Sequence, residues 1–379
     1  MPTEHQQPVD PSHLLNSSKF LESLRKLHID SFLQEISNKP LEPLVYAHSD
    51  NKISFVLNLL RIHNIISIPV FDNYQNKFVS IVNVVNINRY LMLKEVFSRM
   101  DAKESAHDYM SKEVKQKITN VYEKPISDLI DEMNLANNFK IYHKSEPLID
   151  GLEAMGTHEN VYAILASTSN NKEIMASDVQ HAAIITQWDA IDYFLKNPVL
   201  KEAQKDGALD WPANKVMQRS WITFTKKDDP NQPSRRLPVS PVKSTFAFSI
   251  TKDMTALAGF KVLAIHNLSS VAIVDGGDDE AGERIVELVD NLSSSDIRYL
   301  NVDNIAECLL PITAFLGKIR THPKNIIFCH EDTNLQEIMR VSIDNGVHHV
   351  WVVEKESKKP IGVVSMSDML AMFIGVQEG

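Results

Sequence analysis

The stretch GVHHVWVVEKESKKPIGVVSMSDML, residues 346–370, decides the reading of the chain. VHHVWVVE (347–354) and IGVVSM (361–366) are apolar runs of strand length, separated by the polar, proline-terminated KESKKP (355–360). SDMLAMF (367–373) then restarts an apolar pattern at helical spacing, and NLQEIMRVSIDNGV (334–347) carries that spacing ahead of the first strand. The order is helix, strand, polar loop, strand, helix.

The same order recurs three times upstream. NKISFVLNLLRIHNI, ISIPVFD, NYQNK, FVSIVNVV and NINRYLML form one copy over 51–93. PLIDGLEAMGTHEN, VYAILAS, HAAIITQW and DAIDYFL form a second within 147–195, and MTALAGFKVLAIHNL, SVAIVD, GGDDEAGE, RIVELVDNL and SSSDIRYL a third within 254–300. Uneven spacing excludes a regular solenoid. The sequence divides into an N-terminal tail and lead-in helix (1–42), repeat 1 (43–93), a charged helical connector (94–121), repeat 2 (122–196), a linker (197–243), repeat 3 (244–304) and repeat 4 (305–379). Pro198, Pro212, Pro230, Pro233, Pro238 and Pro241 mark the linker as the main boundary, because proline lacks a backbone donor and interrupts regular structure. The expected class is α/β (α+β), with small sheets flanked by helices.

Bulk composition narrows the functions. The 379 residues are 43% hydrophobic and 23% charged, the proportions of a globular chain with several cores. A net charge of −10 gives no global attraction to nucleic acid or anionic lipid. The start, MPTEHQQPVDPSHLLNSSKF, lacks a basic and apolar leader, and no apolar run reaches membrane-spanning length, so the expectation is a soluble intracellular protein. Cys308 and Cys329 are too few for a disulfide framework or a structural zinc site. GGDDEAGE lacks the spacing of a calcium loop, His348 and His349 point to opposite faces of a strand, and His158 and His181 read as loop residues. With no phosphate-binding glycine and lysine loop, nucleophile elbow or zinc-hydrolase motif, the expectation is a non-enzyme without a metal.

One feature recurs where the second strand of each copy meets its last helix. Thr186 stands three places before Asp189, Ser293 before Asp296, and Ser365 before Asp368; in repeat 1 the places hold Asn83 and Asn86. Each pair alone is the outline of a helix cap contributing about 1 kcal/mol. Three at one position of a repeat also suit a nucleotide: free N–H groups at the helix start and a hydroxyl for phosphate, and a carboxylate for ribose hydroxyls. Arg298, two residues beyond Asp296, reads either as a solvated helix residue or as a phosphate contact. The helices of 92–121 read as a solvent-facing connector or a partner-docking face.

IPVFD in repeat 1 and PIGVVSMSDML in repeat 4 resemble the CBS repeat, named for cystathionine β-synthase. Four of them resemble the γ subunit of AMP-activated protein kinase and its plant and fungal relatives, and NLSSSDIR (291–298) is similar to the third repeat of plant-type members. The resemblance implies four repeats in two Bateman modules stacked as a flat disc, with AMP, ADP or ATP in clefts between paired repeats. It implies that Asp189, Asp296 and Asp368 hold ribose hydroxyls, with Thr186, Ser293 and Ser365 nearby and Ser295 and Ser367 lining the pockets. His348 matches a position that reaches phosphate, and is grouped with Ser365 and Asp368 as the best-supported cleft.

Departures accompany the match. Asn86 replaces the acid of repeat 1, Ile66 stands where that family has a phosphate-binding arginine, Asn160 where it has a histidine, and His349 where it has an arginine. The expected ranking is therefore repeat 4 competent, repeats 2 and 3 partly so, and repeat 1 weakest. The implied function is a regulatory, energy-sensing subunit of a kinase complex. Its partners would be the catalytic and scaffold subunits, in the cytoplasm and also the nucleus. The alternatives are a free-standing protein binding an adenosyl ligand such as S-adenosylmethionine, and a scaffold whose ligand sites have decayed.

Overall fold

A computed structural model describes residues 19–36, 43–94, 97, 112–157, 161–197, 210–216, 220–224, 246–278, 284–320 and 326–374. Repeat 1 comprises β1 (Ala47–His48), the helix Ile53–Ile62, β2 (Ser67–Asp72), β3 (Lys77–Asn83) and the helix Val84–Met92. β1 pairs parallel to β2, and β2 antiparallel to β3. Parallel neighbours need a crossover, which the first helix supplies; antiparallel neighbours need only a turn. That turn is set locally: the Asp72 carboxylate accepts from Tyr74 N and Gln75 N, both at 2.8 Å, and Asn76 takes φ 52°.

Repeat 2 repeats the plan with β4 (Ile141–His143), the helix Leu148–Thr157, β5 (Ala163–Ser167), β6 (Ala182–Thr186) and the helix Gln187–Lys196. Repeat 4 does so with β11 (Phe328–His330), the helix Leu335–Asn345, β12 (His349–Val353), β13 (Pro360–Ser365) and the helix Met366–Ile374. Repeat 3 differs twice. Its sheet has four strands, β10-β9-β8-β7, where β7 (Ser220–Phe224) comes from the stretch read as linker and joins β8 (Phe246–Thr251), β9 (Ser270–Asp278) and β10 (Arg284–Ser293). The segment after β10 is a 3-10 helix, Ser294–Tyr299, rather than an α-helix. Of the linker prolines only Pro212 is among the described residues; it bridges Asn334 of repeat 4.

A three-stranded sheet with helices on one side cannot hide its apolar surface alone. Four contacts close the arrangement. Phe71 and Phe78 of repeat 1 meet Leu165 and Ile174 of repeat 2 across their sheets, and Ala272 and Leu288 of repeat 3 meet Trp351, Val353 and Val363 of repeat 4. The helices then join non-consecutive repeats. Leu57, Leu60 and Leu91 of repeat 1 share one core with Phe260, Leu263 and Ile297 of repeat 3, while Leu152, Met155 and Phe194 of repeat 2 share another with Met369, Leu370 and Phe373 of repeat 4. Repeats 1 and 2 thus form one sheet-joined module and repeats 3 and 4 the other, and helices weld the two.

Lead-in segments are exchanged within each module. The turn at 27–30 pairs with repeat 2 through Leu148 N to Leu27 O (2.8 Å) and Ile29 N to Glu146 O (3.1 Å), and Leu24, Phe32 and Leu33 enter that core. The segment at 124–127, beyond repeat 1 in sequence, returns to it through Ile53 N to Lys124 O and Ile126 N to Asn51 O. The second module matches: 211–214 docks on repeat 4 and 310–312 on repeat 3. The sequence boundaries at 122 and 305 give the helices Ile126–Glu132 and Ile312–Ile319 to repeats 2 and 4, whereas these bonds tie them to repeats 1 and 3. The connector contributes Lys112–Tyr122; its residues 95, 96 and 98–111 lie outside the described set, as do the tail (1–18) and residues 279–283 of GGDDEAGE.

Two glycines test the weld. A Cβ on Gly156 would stand 2.9 Å from Ile374 Cδ1 and 3.3 Å from Ala371 N, across the helix pair joining repeats 2 and 4. A Cβ on Gly317 would meet nothing within 4 Å, on the exposed side of the helix Ile312–Ile319. Gly156→Val should therefore lower stability by about 1–3 kcal/mol through overpacking, and Gly317→Ala should raise it by about 0.5–1 kcal/mol. Thermal denaturation of the two variants beside the unmodified chain reads both signs.

Candidate nucleotide clefts between the repeats

Each strand-to-helix turn carries the same reciprocal cap. Thr186 N and Oγ1 donate to Asp189 Oδ2 at 2.8 and 2.6 Å, and Asp189 N returns a bond to Thr186 Oγ1 at 3.2 Å. Ser365 and Asp368 repeat these distances as 2.8, 2.6 and 3.2 Å. Ser293 N donates to Asp296 Oδ2 at 2.9 Å, and Ser295 N and Oγ both donate to Ser293 Oγ. In repeat 1, Asn83 N donates to Asn86 Oδ1 (3.1 Å) and Asn86 N to Asn83 Oδ1 (3.0 Å), so the amide pair builds the box without charge. The capping reading of the pattern therefore holds in all four repeats.

Register explains why these caps stand beside clefts. Each cap residue faces the first residue of the neighbouring strand: Asn83 faces Ser67, Thr186 faces Ala163, Ser293 faces Ser270, and Ser365 faces His349. At the junction of repeats 1 and 2 two cavities open around these pairs. One, of about 540 Å³, is lined by Thr186, Trp188 and Tyr162 of repeat 2, Ile66 and Ser67 of repeat 1, and His348 of repeat 4. The other, of about 410 Å³, is lined by Ser67, Asn83, Asn86 and Arg89 of repeat 1, Lys140 of repeat 2, and Asn267 of repeat 3. Ser67 borders both, is 5% exposed, and its Oγ has no hydrogen-bond partner among the described residues. A buried hydroxyl without a partner costs about 1–3 kcal/mol.

The remaining sequence candidates fall elsewhere. His348 lines the larger cavity, its ring edge-on to Trp188 at 6.4 Å, rather than sharing a cavity with Ser365 and Asp368. Asp189, Ser293, Ser295, Asp296, Ser365, Ser367 and Asp368 line neither of these two cavities. Ser367 Oγ accepts from Gln187 Nε2 at 2.8 Å, tying repeat 4 to repeat 2. Asp296 lies 3.8 Å from Arg320, a residue the sequence did not single out, which also binds Asp290 at 2.7 Å and Asn291 O at 2.8 Å. Arg298 does not project to a cleft as a free cation. Its guanidinium donates to Ile65 O (2.9 Å), Leu60 O (3.3 Å) and Ser295 O (2.9 Å), closing the end of the first helix of repeat 1 from repeat 3. Asn160 and His158 lie outside the described residues.

Electrostatics agree with these placements. Burial pushes the Asp189 carboxyl above its ordinary value, against the Thr186 bonds that pull it down. Desolvation, aided by His348, holds His349 at about 3, so its imidazole is neutral where Nε2 meets Ser269 Oγ at 2.7 Å. Burial pushes the Cys308 and Cys329 thiols up to about 12, which leaves them as core residues rather than nucleophiles. No group of three or more His, Cys, Asp or Glu is placed to hold a metal among the described residues. No described helix is long and apolar enough to cross a membrane.

Comparisons with known proteins agree with this architecture. A family model described as the CBS domain matches residues 318–375, most of repeat 4. A curated relative from Arabidopsis thaliana, "SNF1-related protein kinase regulatory subunit gamma-1-like", is 25% identical over 154 residues. That match covers 36% of this chain and 32% of the relative, so the chain spans about a third of the curated protein it matches. A crystal structure from Methanocaldococcus jannaschii, described as a candidate archaeal homolog of γ-AMPK, aligns over 90% of this chain and 99% of that one. The identity is 14% and the TM-score 0.57, which shows a shared fold.

Two substitutions probe the site's supports. Arg298→Ala removes charged bonds to carbonyls on either side of the module joint and should cost about 1.5–3 kcal/mol, read by denaturant titration. His349 ionises near 6.5 when unfolded but at about 3 when folded, so its contribution is present above 6.5 and is lost as the pH falls towards 3. His349→Gln should flatten that acid-side decline, measured as thermal midpoints across the same pH range.

Proposed function

We propose that this chain, a CBS-domain protein similar to the γ subunits of AMP-activated kinases, is a non-catalytic regulatory subunit. It binds AMP, ADP or ATP between paired repeats and modulates a kinase of that type, together with that kinase's catalytic and scaffold subunits, in the cytoplasm and nucleus. One observation carries the reading. The two cavities that border the caps of repeats 1 and 2 are each lined by a residue of the opposite module: His348 of repeat 4 in one, Asn267 of repeat 3 in the other.

A ligand seated in either cavity touches both modules at once. If it fits one relative setting better than the other, it shifts the population by its differential affinity, and a partner bound across the modules reads the shift. Ligand binding is thereby converted into a mechanical signal without any bond being made or broken. Thr186, Trp188 and Tyr162 line the larger cavity, and the two rings offer faces for a purine. Asp189, bonded to Thr186 behind that wall, is proposed as the ribose partner on the family resemblance. Asp296 and Asp368, with Ser293, Ser295, Ser365 and Ser367, would serve the corresponding positions of the second module.

A second reading is favoured by one specific feature. The larger cavity has Ile66, Pro43, Leu44 and Val45 on its wall and no Arg or Lys among its described lining residues, which suits an adenosyl compound with an uncharged tail, such as S-adenosylmethionine. Calorimetric titration with AMP, ADP, ATP and S-adenosylmethionine separates the two. Nucleotide binding at micromolar to millimolar concentration, weakened by Thr186→Val, supports the regulatory reading; heat from S-adenosylmethionine alone supports the second. Silence with all four ligands, from a chain that still captures a kinase complex, would leave a scaffold.

A further inference from the structure

The two cavities that border the caps of repeats 1 and 2 differ in charge. The cavity at Asn83 and Asn86 has Arg89 and Lys140 in its wall and no carboxylate among its described lining residues, in a protein whose net charge is −10. The cavity at Thr186 has His348 and no Arg or Lys among its described lining residues. We infer that the Asn83–Asn86 cavity of repeat 1, ranked weakest from its sequence, is the phosphate-reading site of the pair, with Arg89 as its specificity-determining residue. This deepens the nucleotide reading and rests on it.

The amide pair supports the inference. The positive end of a helix dipole favours an anion, and the helix Val84–Met92 begins at this wall, with Val84 N donating to Ile66 O and Asn86 N to Asn83 Oδ1. In the other repeats the third position of that helix is a carboxylate, which would repel a phosphate placed there. Asn86 preserves the capping geometry, with both reciprocal bonds at 3.0–3.1 Å, and removes the charge. Its replacement of the acid is therefore what an anion site requires. Arg89 lies one turn further along, exposed, with Nη1 3.4 Å from Asn267 Oδ1, so it stands at the mouth with donors directed along the joint between modules. Lys140 is held over the Tyr142 ring at 4.3 Å and 3.3 Å from Glu146, which leaves it a smaller share of the field.

The test compares AMP with adenosine, which differ by the phosphate alone, on the full chain by calorimetry. The unmodified chain should prefer AMP. Arg89→Gln and Asn86→Asp should each reduce that preference about tenfold, the worth of one charged hydrogen bond, and in Asn86→Asp the AMP affinity itself should fall. Unchanged thermal midpoints show that both variants fold, since the aspartate can still close the box as Asp189 does. Arg61→Gln, exposed on repeat 1 and lining neither cavity, should leave the preference in place. Equal binding of adenosine and AMP by the unmodified chain overturns the inference, as does a preference that survives both Arg89→Gln and Asn86→Asp or falls equally in Arg61→Gln. Binding of neither ligand overturns the nucleotide reading as well.

Discussion

Helix packing between repeats that are not neighbours in sequence is the constraint on which the rest depends. Each small sheet covers one side of its helices and leaves the other bare. Repeat 1 covers that side with repeat 3, and repeat 2 with repeat 4. Burial at about 25 cal/mol per Å² makes such shared cores the main source of stability here. The surface ion pairs contribute little, because most of their partners stay exposed. The arrangement also brings residues from the second module to the two cavities at the caps of the first, which no single pair of repeats could do.

The strand-to-helix turn has two uses that do not compete. Its side chains close the cap, which fixes the helix start, and the positive end of the helix dipole remains at the turn. Hydroxyl with carboxylate, or amide with amide, gives the same geometry, as the bonds in repeats 1, 2 and 4 show. What varies is the charge presented to the cleft. Geometry is thus common to the repeats, while ligand preference is free to diverge.

The hairpins, their following helices and the cap residues were legible in the sequence because each has a local signal: an apolar run, a polar turn, and a hydroxyl three places before an acid. β1, β4 and β11 were not, since two or three residues carry no alternation. β7 lay hidden in a proline-rich stretch. The exchange of lead-in segments left no mark, because it depends on backbone bonds such as Ile29 N to Glu146 O between distant residues. The sequence also grouped His348 with Asp368 from its place at the neighbouring strand and its match to a phosphate-reaching position, whereas its position just ahead of β12 sends it across the module joint to Trp188. Arg89, Lys140 and Ser67 had no repeated pattern to draw attention to them; only the shape of the cavities did.

The exchanged lead-in segments also set the unit in which such a protein can grow. Repeat 2 is completed by chain that precedes repeat 1, and repeat 1 by chain that precedes repeat 2. The same reciprocity holds in the second module, where 211–214 completes repeat 4 and 310–312 completes repeat 3. A duplication copying one repeat with its own preceding segment would yield a repeat lacking its cover and a segment lacking its dock. Copying a pair leaves nothing unmatched, so the module, not the single repeat, is the self-sufficient unit of this architecture.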